Sequence, residues 1–546
     1  MTHSLTEGRL AVAAWHAEAA LAVHAPALVS GFTAALPAAA GIVGRKLRGA
    51  LVREDIGDAR ARHAGQGVAY GFDRVEFAEA GADDPVDLLA GLDAPGFAAE
   101  LRNAVVNLAV AMSRKPAPET TARKPAPETM ARKPAVEEGR PDPDATAIAL
   151  ERLAVAGHNL HPCGRTRLGW DTTDVLAYDL EAGATEIGFV AVRDDGHVGD
   201  DMGAALAEAY PHLPAAPPGF RLQPVHPWQR DTVLPERYAD LIRDGALRIL
   251  DATIEATPTA ALRTLLLPKG VDGRRRYLKV SLDIQVTSTR RSISVASTRT
   301  GPAVSALLHR LAMSAPRLVL LAETAGAAVP AGSGRDMSAI LRDGLTGRLG
   351  AGEIAIPGGA IPAKLPELLA AYRKGPTSWL REYAELLLPP LLRWTARGVA
   401  FEAHLQNCLP TFVAGTPSRL VLRDFAGLRL HLPRLAAAGH SLQPWPGSVI
   451  GTDDEDVLRA KIGYTALQAH LGELIIHLGV DEGEAWRVVR RVIDQTYDEL
   501  GGTPAARSDH AAFTAARVPH KALVRMRLGG NGDVYLPVRN PLHAAT

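Results

Sequence analysis

Residues 277–291, YLKVSLDIQVTSTRR, alternate between apolar and polar side chains more sharply than any other stretch of the chain. That period of two is the mark of a strand with one covered face. Leu278, Val280, Leu282, Ile284 and Val286 fall on one side, and Tyr277, Lys279, Ser281, Asp283, Gln285 and Thr287 on the other. An extended path held to its end also puts Arg291 on the face of Lys279. Fixed Lys and Arg side chains on a sheet suit phosphate or carboxylate, Arg because its planar fork binds two oxygens at once. A solvated face is the commoner fate of such a pattern. Three neighbouring features favour a ligand: the hydroxyls of Thr287, Ser288 and Thr289, the upstream pair Arg263 and Thr264, and Arg290 beside Arg291.

A second stretch, FEAHLQNCLP at 401–410, crowds Glu402, His404, Gln406 and Asn407 among apolar residues. As a strand it carries Phe401, Ala403 and Leu405 on one face and Glu402, His404 and Gln406 on the other. That polar face either lines a cleft or is simply half exposed. The continuation, NCLPTFVAGTPSRLVLRDFAG, reads as two strands joined by a turn at Ala414 to Pro417. If Val413 pairs with Ser418, Asn407 lies opposite Asp424, and Glu402, Asn407 and Asp424 share one neighbourhood. Carboxylate and amide oxygens are what a hard Mg²⁺ accepts, with substrate phosphates completing its shell. The loop GHNLHPCGRTRLG at 157–169 holds His158 and His161 without a third close nitrogen or sulfur ligand. Its turn-formers Asn159, Pro162 and Gly164, followed by Arg165 and Arg167, suit a loop presenting imidazole and guanidinium to an anion; the alternative for it and for HPWQ at 226–229 is a structural turn.

From Arg114 to Arg140 runs a tandem nine-residue repeat, RKPAPETTA, RKPAPETMA, RKPAVEEGR. Proline and charge in this proportion bury too little apolar surface to offset chain entropy, so the repeat is expected to be a disordered linker or surface loop. Helical periodicity dominates before it and strand-like runs after it. A chain of 546 residues exceeds one core, and the division expected is a helical domain at 1–143, a nucleotide-binding domain at 144–365 and a C-terminal domain at 366–546. Sixty basic residues balance sixty acidic ones, so no global field favours nucleic acid. Cys163 and Cys408 are too few for a disulfide framework. The first residues read as an amphipathic helix rather than a signal peptide, and no stretch reads as apolar for the roughly 20 residues of a membrane span. A cytoplasmic protein without a membrane partner is the expectation.

Seven motifs, in this order, carry a resemblance: GHNLHPCGRTRLG, HPWQ, RTLLLP, LKVSLDIQVTSTRR, EAHLQN, RDFAG and HKALVRMRL. Together they resemble the IucA/IucC family of siderophore synthetases from about Gly157 to Arg527. The resemblance implies an α+β, thumb–palm–fingers fold with an ATP cleft, usually a homodimer. It implies condensation of a carboxylate with an amine or alcohol through an acyl-adenylate, with ATP and Mg²⁺. Carried over, Lys279, Arg263 and Thr264 hold phosphates, with the His158/His161 loop, Arg165, Ser288 and Gln406 assisting. Arg291 and His404 lie where carboxylate meets α-phosphate, Glu402, Asn407 and Asp424 position Mg²⁺, and Lys521 and Arg525 close over the acid. Asn159 replaces the family's usual Pro, Arg165 its Lys, Ala261 the Ser of its S-x-R-T, and Ser292 the Thr of its TS-x-x-RT. A surplus of cations over what ATP and one carboxylate need would select a citrate- or succinyl-type acid. The competing expectation is a kinase-like phosphotransferase using Asn407 and Asp424, although the catalytic-loop Asp and a phosphate-covering Gly-rich loop are missing.

Overall fold

The structure, a computed structural model, describes residues 9–114, 141–287, 289–313, 315–530 and 532–545. Residues 115–140 of the repeat, and Ser288, lie outside the described residues.

Helices α1 (Arg9–His24), α2 (Val29–Glu54) and α3 (Pro95–Ser113) form the N-terminal layer. Phe32, Leu36, Val43, Leu47 and Leu51 recur at helical spacing along α2 and are buried with Leu101, Val105 and Leu108 of α3. With its preceding turn, Pro26–Glu54 is long and apolar enough to cross a membrane. That corrects the expectation that no stretch qualifies, though here the stripe packs on α3. The same core takes in Cys163, Trp170, Leu282, Ile284, Val286 and Val524, so it continues well past residue 143.

Two sheets follow. The strands are β1 (Thr185–Arg193), β2 (Val198–Gly199), β3 (Phe220–Val225), β4 (Leu247–Pro258), β5 (Thr264–Leu266), β6 (Arg276–Val280), β7 (Leu282–Val286), β8 (Thr289–Arg291), β9 (Leu318–Leu320), β10 (Glu323–Ala328), β11 (Ser338–Asp343), β12 (Glu353–Ala355), β13 (Cys408–Val413) and β14 (Thr416–Leu422). An eight-stranded antiparallel sheet has the order β2-β10-β11-β6-β5-β4-β1-β3. A four-stranded sheet has the order β9-β14-β13-β12, with β9 and β14 parallel. The fold is α+β. Helices α4 (Val295–Ala312), α5 (Pro376–Ala396) and α6 (Glu482–Glu499) cover these sheets or pack on each other. Trp379 and Tyr383 of α5 stack with Phe412 of β13 at centroid distances of 6.1 and 6.5 Å.

The alternating stretch is not one strand. It divides at Ser281, whose hydroxyl donates to the Arg335 carbonyl and accepts from the Ile293 and Ser338 amides. Beyond that point the chain leaves the large sheet and forms the hairpin β7–β8, with Arg291 opposite Leu282. Lys279 and Arg291 therefore do not share a strand face. Nor is the polar face solvated: Tyr277, Lys279 and Ser281 are 1%, 3% and 2% exposed.

The register assumed for the second hairpin also fails. Its turn is the two-residue Ala414–Gly415, with φ of 48° and 78°, so Val413 faces Thr416. Two consecutive left-handed residues are what a tight hairpin turn needs. A shift between Pro410 and Phe412 then sets Cys408 opposite Leu422. The Arg423 amide donates to the Asn407 carbonyl at 3.1 Å, so Asn407 faces Arg423, not Asp424. Residues 401–407 are a turn rather than a strand, closed by the Asn407 amide donating to the His404 carbonyl at 3.1 Å.

Candidate functional site

Strand β6 carries Lys279 inward beside Thr264 of β5, its register partner. The Lys279 ammonium donates to Asp424 at 2.7 Å. Asp424 follows β14 at φ 64°, a left-handed kink that turns its carboxylate out of the strand line. Burial opposes its ionisation, but Lys279 and Arg263 hold the carboxyl well below its ordinary range. Arg263 donates to the Arg291 and Ser292 carbonyls at 3.0 and 2.8 Å and so fastens the end of the β7–β8 hairpin. Glu323, at the start of β10 and opposite Arg342, is raised by burial despite the nearby Lys279.

Several buried polar atoms around this cluster have no partner among the described residues: Thr264 Oγ1, Arg291 Nε, Glu323 Oε2 and Arg342 Nε. Buried groups are normally paired, so an assembly of orphans marks a place built for another molecule. Arg291 is the sharpest case. Burial and the adjacent Arg263 push its guanidinium well below its ordinary value, to about 9. Guanidinium stays charged at neutral pH, so this cost is what an anion would relieve.

Arg291 opens on a cavity of about 350 Å³, lined also by Lys46, His158, Arg165, His404 and Gln406. Glu402 lies beneath His404, 3.8 Å from its Nε2, and accepts from Lys461 at 3.0 Å. Against the cost of burial, Lys461 and His404 hold Glu402 down to about 2. Burial lowers His404 itself, leaving a neutral imidazole at neutral pH. Asn407 Nδ2 donates to the Glu402 carbonyl at 3.1 Å. Among the described residues no group of three His, Cys, Asp or Glu could hold a metal. Glu402, Asp424 and the Asn407 amide have the oxygen chemistry Mg²⁺ accepts, but both carboxylates are held by lysines.

Other expected residues are engaged elsewhere. Arg165 pairs with Glu181 at 2.6 Å and Asp179 at 3.5 Å and donates to the Val155 carbonyl, leaving little of its fork for phosphate. His158 Nδ1 accepts the amides of Leu160 and His161. His161 Nδ1 accepts from Cys163, and burial takes its ring down to about 3. Lys521 does not share a helix with Arg525. It ends the strand β15 (Arg517–Lys521), pairing with Asp533 at 2.8 Å. Arg525, in helix α7 (Leu523–Gly529), donates to the Glu54 and Asp55 carbonyls at the end of α2. With these cations occupied and both histidines neutral, the expected surplus of positive charge shrinks to Arg291 and its neighbours. Sequence reasoning missed Lys46, Lys461, Glu323 and Arg342; the only local signal was the charged GRKLRG run within apolar α2.

Two family models match consecutive parts of the chain: the IucA / IucC family over residues 146–363 and the ferric iron reductase FhuF-like transporter over residues 377–536. Over residues 146–363 the chain carries the IucA/IucC family match. Staphyloferrin A synthase of Staphylococcus aureus is 25% identical to it over 431 residues, 72% of each chain. D-ornithine–citrate ligase of the same organism is 23% identical over 461 residues, 72% of this chain and 70% of the relative. Petrobactin biosynthesis protein AsbB from Bacillus anthracis shares the fold, with a TM-score of 0.72 and 18% identity over 99% of this chain and 98% of that one. With relatives named as siderophore synthetases and ligases, the chain is an enzyme.

Proposed function

We propose that the protein is an ATP-dependent ligase that adenylates a citrate- or succinyl-type carboxylate and joins it to an amine. The observation that carries this reading is the half-buried Arg291 guanidinium at the cavity wall, bonded through Nη2 to the Thr287 hydroxyl at 3.4 Å, with its enclosed Nε left without a partner among the described residues. Arg291 would hold the two anions, carboxylate and α-phosphate, against each other. Lys279 and Arg263 would neutralise the leaving pyrophosphate, Lys279 by exchanging Asp424 for phosphate oxygen. Mg²⁺, held by Glu402, Asp424 and Asn407, would supply further charge neutralisation. His404, neutral and facing the cavity, can accept the proton that an attacking amine releases. No protein nucleophile is needed: charge placement and proximity carry the chemistry. The name of one relative, a D-ornithine–citrate ligase, supports the substrate class.

Incubation with Mg-ATP, citrate and hydroxylamine should yield a hydroxamate with AMP and pyrophosphate. ADP as the sole nucleotide product would sink this reading and favour phosphotransfer. Activation of acetate as efficiently as citrate would remove the polycarboxylate from it.

A further inference from the structure

A second chamber of about 240 Å³ adjoins the main cavity. Lys46, Asn159 and Glu473 line both, so these three side chains form the partition between them. Lys46 is held there by the Ala156 and His158 carbonyls at 3.1 and 2.7 Å, and burial brings its ammonium down to about 8. The Asn159 amide donates to Glu473 at 3.0 Å. Asn159 is the residue that departs from the family's usual proline, and it departs at this wall.

The charges of the chamber do not cancel. Arg74 is shared between Glu76 and Glu473. Glu54 is spent on the Val524 and Arg525 amides. Arg53, only 7% exposed, forms no ion pair and donates no hydrogen bond to a described residue, and its Nε is fully enclosed. Burial pushes its guanidinium below its ordinary value, to about 10. Close to it stands Tyr464, 7% exposed, whose hydroxyl also lacks a partner among the described residues. Tyr464 sits edge-on to His520, another lining residue, at 5.6 Å between ring centroids. Arg53, a buried donor without an acceptor among the described residues, on the wall of a chamber with a spare positive charge and with the Tyr464 hydroxyl close by, defines a carboxylate pocket.

Lys46 and Arg53 are seven residues apart on α2, hence on one face and about 10 Å apart along the axis. A molecule anchored by a carboxylate on Arg53 therefore reaches the partition with a group several methylenes away. Resting on the ligase reading above, we infer that the second chamber holds the acceptor, and that this acceptor is an amino acid whose carboxylate is read by Arg53 and Tyr464. Its side-chain amine would pass Glu473, which attracts it as an ammonium, and give up one proton to solvent. In the main cavity its nitrogen would bond to the acyl carbon as AMP leaves, the second proton passing to His404. The activated acid stays on Arg291.

The test uses acceptors paired with their decarboxylated forms: ornithine (both enantiomers) against putrescine, and lysine against cadaverine. Each is supplied to the full-length enzyme with Mg-ATP and citrate. The amino acid of at least one pair should be preferred at least tenfold in kcat/KM. Arg53→Gln should abolish that preference through KM with kcat little changed, Arg53→Lys should restore part of it, and neither should weaken urea resistance, since an unpaired buried cation is removed or replaced. Citrate-dependent ATP–pyrophosphate exchange should be untouched by Arg53→Gln. Rejection of both members of every pair, equal use of both, or an unaltered preference in Arg53→Gln would overturn the proposal. Loss of citrate-dependent exchange in Arg53→Gln would assign the pocket to the acid instead. Absence of exchange in the unmodified enzyme would strike the ligase reading itself.

Discussion

The Lys279 ammonium reaches across 2.7 Å to the Asp424 carboxylate, joining the large sheet to the kink that ends β14. Lys279 is buried and Asp424 half-buried, so the ammonium in particular depends on its partner. Removing one partner of such a pair costs about 3–5 kcal/mol, because the survivor is a buried, uncompensated charge. Lys279→Met should lower the urea-derived stability by about that amount, and the double variant Lys279→Met/Asp424→Asn should recover most of it. Turnover should remain lost in both. Stability that stays low in the double variant would show that Lys279 acts through Arg263 or Glu323 instead.

Arg290 and Arg291 separate cleanly in the hairpin. Arg290 is exposed and pairs with Asp283, whereas Arg291 is enclosed with its Nε unpaired. Arg291→Ala should abolish citrate-dependent pyrophosphate exchange while leaving stability unchanged or raised by about 1 kcal/mol, because an uncompensated cation disappears. Arg290→Ala should keep near-normal exchange and cost no more than about 1 kcal/mol, the scale of an exposed pair. Comparable exchange in the two variants would detach Arg291 from the chemistry.

What the sequence discloses is local, and what it hides is long-range. Burial in 401–407 does alternate: Phe401, Ala403 and Leu405 are buried while Gln406 is exposed, although the segment is a turn. Periodicity thus reported the environment correctly and the element wrongly. The break at Ser281 has no signature of its own, since serine fits a polar strand position; only its bonds to residues 293, 335 and 338 reveal it. The Ala414–Gly415 turn lacks the Asn-Gly or Asp-Gly pair that announces a tight hairpin, which moved the assumed register. Arg165 meets Asp179 and Glu181, and Arg53 comes near Tyr464, through folding alone.

Glu402 predicts a pH dependence. Its carboxyl is lowered from 4.5 to about 2 in the fold, with Lys461 and His404 favouring the anion over the penalty of burial. A depressed carboxyl contributes stability that is fully present above its unfolded value and is lost as pH falls through the folded value. The native state should therefore weaken between about pH 4.5 and pH 2, and Glu402→Gln should flatten that limb relative to the unmodified protein. Urea midpoints measured across this range decide it: parallel curves would mean that Glu402 is not ionised in the fold.

Gly427 closes the RDFAG motif, and its role is set by space rather than by backbone conformation, since its φ is not positive. A methyl group there would overlap the Glu402 carboxylate, with only the carboxylate free to move. Displacing it would break the 3.0 Å bond from Lys461 and withdraw an oxygen ligand proposed for Mg²⁺. Gly427→Ala should therefore weaken binding of Mg-loaded, non-hydrolysable ATP in isothermal titration by at least tenfold, and binding without Mg²⁺ much less. The same substitution in a Glu402→Ala background, where the overlap no longer exists, should add little. A full additional loss in that background would mean that the glycine serves the backbone of the motif, not the carboxylate beneath it.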